Sequence, residues 1–147
     1  EYVVSDAAEN GQGMNTVCYL RRKTDKASSV PHWPITALLE VPEYRDKFLR
    51  RLAEVIQTNF LYDTQSEPVL TRWRDQIELV MPRHIAKFKT FPSVSEWKQN
   101  VRATMNYTRR RPRMVINWVC QRLHLTRDER EAYFRTTLDL LTLHNEK

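Results

Sequence analysis

Residues 42–60 read PEYRDKFLRRLAEVIQTNF, and the spacing of apolar side chains in that run predicts a helical protein. Tyr44, Phe48, Leu52, Val55, Ile56 and Phe60 recur at steps of three and four, the period of one helix face. Lys47, Arg50, Arg51 and Glu54 occupy the opposite side. Pro42 suits a first helical turn, and Glu43 complements the positive end of the macrodipole.

The same period continues downstream. Tyr62 to Glu67 reads as a linker, with Ser66 as N-cap and Pro68 inside the following first turn. Val69, Leu70, Trp73, Ile77, Val80, Met81, His84, Ile85 and Phe88 then form one apolar stripe, which predicts a buried face. Pro82 interrupts it. Its ring removes a donor and crowds the carbonyl of Glu78, so a kink or a break into two helices is expected. Ser93-Val94-Ser95-Glu96 is a capping box, opening a helix that buries Val94, Trp97, Val101, Met105 and Thr108. Arg109-Arg110-Arg111-Pro112 is expected to end that helix and begin another, which carries Met114, Val115, Trp118, Val119, Arg122 and Leu123 on one face. A second box, Thr126 to Glu129, opens a last helix with Tyr133, Phe134, Thr137, Leu138, Leu140 and Leu141 as its face.

Upstream of Pro34 the character changes. Tyr2–Val4 and Val17–Leu20 have the composition of short strands, with Glu9 to Gly13 as a turn between them. Residues 23–30, KTDKASSV, read as loop, and Pro31 and Pro34 bracket His32 and Trp33. The expected architecture is therefore mainly α: five to six helices in an orthogonal or bundle-like array over residues 34–147. Residues 1–33 form an irregular arm with room for one short hairpin.

A chain of 147 residues is long enough for one domain with its own core. Hydrophobic residues make up 41% and charged residues 29%, a globular balance. No apolar run approaches the roughly 18 residues of a membrane span. The two glycines, Gly11 and Gly13, leave no Gly-rich phosphate loop and no dinucleotide fingerprint. Cys18 and Cys120 make neither a disulfide framework nor a metal knuckle; two buried free thiols are preferred over one long-range bridge. The chain opens on Glu1 without Met or a signal-peptide profile, so we expect a piece, or a processed form, of something longer.

The net charge of +6 is local. Between Arg83 and Arg113 nine Lys and Arg stand against one acid, Glu96, while the rest of the chain is close to balanced. Arg109, Arg110, Arg111 and Arg113 concentrate that charge and are the candidate anion- or partner-binding residues. Cations at a helix end, complementing the dipole, are the plainer explanation. Nucleic acid would also require exposed aromatic platforms. Trp97 and Trp118 lie on apolar stripes and read as buried, so nucleic acid is disfavoured. His84 reads as a core histidine, and His32, His124 and His144 share no metal-ligand spacing. Asp128 and Glu131 belong to a helix's first turn. No Gly-x-Ser-x-Gly, His-Glu-x-x-His or Asp-x-Asp occurs. No catalytic, metal or cofactor-binding residue is assigned.

The order of these pieces nevertheless resembles a known family. Leu38-Leu39, residues 42–60, Met81-Pro82-Arg83-His84-Ile85, Ser95-Glu96-Trp97 and Arg110-Arg111-Pro112 follow the pattern of the carboxy-terminal part of the CotH kinase family. That family is known from spore coats and from secreted or surface proteins. The resemblance spans Trp33 to Leu125; Tyr44, Gln57 and Lys87-Phe88 depart from the usual residues, and the last helix lies beyond it. It implies an atypical protein kinase that uses ATP and Mg, with the phosphate-handling Lys and metal-binding Asp upstream of this region. It also implies the remainder of the parent protein as partner, a protein substrate for the full kinase, and a spore-coat, surface or extracytoplasmic setting. Asp6 and Asp25 lack a metal-site context, so no catalytic residue is carried over. On this reading the chain alone is inactive and scaffolds a catalytic half that it does not contain. The alternative is a stand-alone helical module whose basic stripe, residues 83–113, engages an acidic protein or nucleic acid.

Overall fold

The computed structural model describes residues 33–145, and the arm expected over residues 1–33, with its hairpin, lies outside them but for Trp33. The described chain is mainly α, with six α-helices and no strand. They are α1 (Trp33–Glu40), α2 (Pro42–Asn59), α3 (Glu67–Glu78), α4 (Met81–Phe88), α5 (Val94–Arg122) and α6 (Arg127–Asn145). A π turn, Tyr62–Ser66, joins α2 to α3.

The core lies where α2, α5 and α6 meet. Leu49, Ala53 and Ile56 of α2 face Ile116, Val119 and Cys120 of α5 and Phe134 and Leu141 of α6, with Leu61 closing one end. Burying a side chain such as Phe134 or Leu49 is worth about 1.5–3 kcal/mol. This core corrects the expected face of α2: Tyr44 and Phe60 are exposed, while Leu49 is buried completely. The apolar stripe of residues 42–60 is wider than the core it covers, and the packing of α6 selects its Leu49–Ile56 edge.

The expected linker at 62–67 is helical. The Leu61 carbonyl accepts from the amides of both Gln65 and Ser66, at 3.0 and 3.3 Å, the second being the wider π spacing. Gln65 Oε1 accepts from the Leu61 amide at 3.0 Å, so a glutamine, not Ser66, caps this segment. Ser66 has αR geometry and makes no side-chain cap.

At Pro82 the chain breaks as its chemistry requires: α3 ends at Glu78, and α4 begins with Pro82 in its first turn. Pro112 behaves differently. The expected boundary at Arg109–Pro112 is absent, and α5 runs through it for 29 residues, about 43 Å at 1.5 Å per residue. An interior proline removes the donor that serves the Thr108 carbonyl and crowds that turn. Asn145 Nδ2 of α6 braces the same turn, donating to the neighbouring Arg109 carbonyl at 2.9 Å. Pro112 itself is buried.

Of the two expected capping boxes, the one at α6 forms in full and the one at α5 by its Ser93 half. Ser93 Oγ accepts from the Glu96 amide at 3.1 Å. At α6 the exchange is reciprocal: Thr126 Oγ1 accepts from the Glu129 amide at 3.2 Å, and Glu129 Oε2 accepts from the Thr126 amide at 2.7 Å. The Thr126 amide first, and then the Thr126 hydroxyl, which donates to the same Oε2 at 3.0 Å, hold the Glu129 carboxyl below the usual carboxylate range.

Candidate functional site

The candidate arginines sit in the middle of α5, not at a helix end, so the dipole explanation for them does not apply. Arg109 lays its guanidinium 4.5 Å from the centroid of the buried Tyr62 ring. Arg111 lies 4.5 Å from Trp118 and 5.3 Å from Tyr107. Arg113 donates to Thr142 Oγ1 at 2.7 Å and to the Leu138 carbonyl at 3.4 Å. Arg110 alone of the four is exposed, with Nε directed at the Asn106 carbonyl at 3.4 Å. The cluster thus ties α5 to the π turn and to α6, with Arg stems and planes serving as packing surface.

The cations at the surface are others. Arg83, Lys87, Lys89 and Arg102 are exposed, and no carboxylate among the described residues pairs with them. Lys87 Nζ rests 5.0 Å from the Phe88 ring centroid. By contrast, Lys47, Arg50 and Arg51 of α2 are matched by Glu43, Asp46 and Glu54 on the same helix, and Lys98 pairs with Glu78. The excess positive charge therefore belongs to α4 and the first half of α5.

Beside those cations the stripe expected to be buried is largely open. Val69, Trp73, Ile77, Val80 and Phe88 are all exposed, Trp73 by 53%. Only Met81 of the stripe is buried, with Leu70 and Ile85 half-buried. His84 is a further correction: it is exposed, 4.9 Å from the Phe88 ring, and no core histidine. Trp97 is buried as expected and Trp118 half-buried.

The remaining polar groups serve the fold. His144 Nδ1 and Asp63 meet at 2.9 Å. Tyr133 donates to Asp46 at 3.0 Å, and the Asp46 carboxyl is held low first by the Arg50 hydrogen bond and then by Tyr133. Cys120 is a buried free thiol whose pKa burial pushes up; Cys18 lies outside the described residues. No group of three or more His, Cys, Asp or Glu among the described residues could hold a metal, and none of these helices is long and apolar enough to cross a membrane. Sequence reasoning missed Asn145, a buried side chain on which three segments converge; a lone Asn near a helix end carries no signal of that.

The fold defines the class first: a mainly α domain whose core is closed and whose α3–α4 flank is apolar and cationic. The chain belongs to the CotH kinase protein family, whose model matches residues 12–115. That span begins well before Trp33 and stops within α5, so α6 completes the core from outside it. No curated protein and no solved structure matches the chain.

Proposed function

We propose that this CotH-family domain is the helical carboxy-terminal lobe of an atypical protein kinase, supporting a catalytic half that residues 33–145 do not supply. The observation that carries this reading is the open face of α3. Val69, Trp73, Ile77 and Val80 have the spacing of a buried stripe, yet stand exposed. Contiguous apolar surface of that kind marks a face that another body covers. ATP and Mg enter through the family, in the full protein. Phosphoryl transfer needs cations on the phosphates, carboxylates on the metal and a positioned nucleophile, and on this reading the catalytic half supplies them. On this reading the isolated chain turns over no ATP, and Mg-dependent ATP hydrolysis by the 147 residues would contradict it.

A second reading is favoured by the exposed cations Arg83, Lys87, Lys89 and Arg102, which no carboxylate among the described residues pairs: an anion-binding face for an acidic partner. Retention on a heparin column then falls steeply with salt. It also drops when Lys87 and Lys89 become Ala, and is little changed when Arg109, Arg111 and Arg113 do so. Equal loss from both sets would place the face on the α5 cluster instead.

A further inference from the structure

We propose that the α3–α4 flank docks an amphipathic helix of a partner protein, one whose apolar stripe ends in a cluster of carboxylates. This rests on the second reading above, that the cationic surface is an interaction face, and names its occupant; on it the open face of α3 is covered by that helix and not by the catalytic half. Val69, Trp73 and Ile77 recur at steps of four on α3, with Val80 next in line, and all four are exposed. From Val69 to Ile77 they cover about 12 Å of helix, the length over which a docked helix presents anchors at i, i+4 and i+7.

Charge then sets the direction. Along α3 the apolar ridge runs among charges of both signs, Arg72 and Arg74 with Glu67, Asp75 and Glu78. Past Ile77 the sign changes: no acid occurs between Leu79 and Ser95, and Arg83, Lys87 and Lys89 are exposed without a carboxylate partner among the described residues. A complementary helix is therefore apolar over α3 and acidic over α4. An anionic membrane fits less well, because its headgroups would meet the α3 carboxylates. Single-stranded nucleic acid stacks on ring faces along a cationic track, whereas the exposed Trp73 ring stands on α3 among Glu67, Asp75 and Glu78, and Phe88 is flanked by His84 at 4.9 Å and Lys87 at 5.0 Å.

The test titrates the full chain into a fluorescein-labelled synthetic helix of five turns, with Leu at i, i+4, i+7 and i+11 and Glu filling the final turns, and reads anisotropy. Heparin retention, vesicles of phosphatidylcholine with about 30% phosphatidylserine and an oligothymidylate are run in parallel. Saturable binding of the peptide is expected, weakened roughly tenfold or more by Trp73→Ser with Ile77→Ser, and similarly by Lys87→Glu with Lys89→Glu. The peptide with Gln in place of Glu, offered to the unaltered protein, also binds more weakly, which keeps the test independent of how the variants fold. Absence of saturable binding, indifference to the Glu-to-Gln change, or a preference for the vesicles or the oligonucleotide overturns the proposal. Heparin retention without peptide binding would leave the anion-binding face standing and remove only its occupant; loss of both would remove both.

Discussion

Asn145 is the residue on which the described fold converges. Its Oδ1 accepts from the Tyr62 amide at 3.0 Å, and its Nδ2 reaches the carbonyls of Arg109 at 2.9 Å and Phe60 at 3.4 Å. One buried amide thereby serves the end of α2, the π turn and the turn of α5 that Pro112 disturbs. Asn145→Ala leaves the buried Tyr62 amide without an acceptor, at a cost of about 2 kcal/mol, read as a lower urea midpoint with unchanged slope. Asn145→Asp keeps the acceptor and falls between the two proteins; an Ala variant as stable as the parent would show the hub to be incidental. None of this was legible beforehand, because the partners lie far away along the chain. What the sequence does announce at this scale is short-range chemistry: Ser93 with Glu96, and Thr126 with Glu129.

The elements divide by how local their causes are. The break at Pro82 and the start of α6 follow from residues within one turn, and both were legible. Pro112 suits a first turn by its fixed φ, and its place inside α5 is set by packing from distant residues: its ring is buried, and Asn145 of α6 braces the neighbouring Arg109 carbonyl. The edge of α2 that is buried was equally illegible: residues 42–60 show a broad apolar stripe, and only the placement of Phe134 and Leu141 narrows it to Leu49, Ala53 and Ile56. The α6 cap carries a pH dependence of known sign. The Glu129 pKa is lowered in the folded state, so its stabilisation is complete above the ordinary value of about 4.3. It is lost as pH falls through the lowered native value. Glu129→Gln removes that share: the urea midpoint of the variant declines less between about pH 4.5 and 3 than the parent's. Parallel declines would mean that the box holds no more tightly in the folded chain than in the unfolded one.

At the scale of the whole molecule, the sequence places the charge by segment, and the structure distributes it by side chain. Arg109, Arg111 and Arg113 are the densest run, yet they stack on Tyr62 and Trp118 and bond Thr142; the sparser Arg83, Lys87, Lys89 and Arg102 hold the surface. Periodicity reported that α3 has an apolar face and could not report whether these helices cover it. Val69, Trp73, Ile77 and Val80 are that face left open, the observation behind the proposed supporting-lobe role. Isothermal titration of Mg-ATP into the full 147-residue chain addresses that reading directly. A supporting lobe gives no heat beyond dilution, with or without Mg, whereas saturable micromolar binding that requires Mg would contradict it.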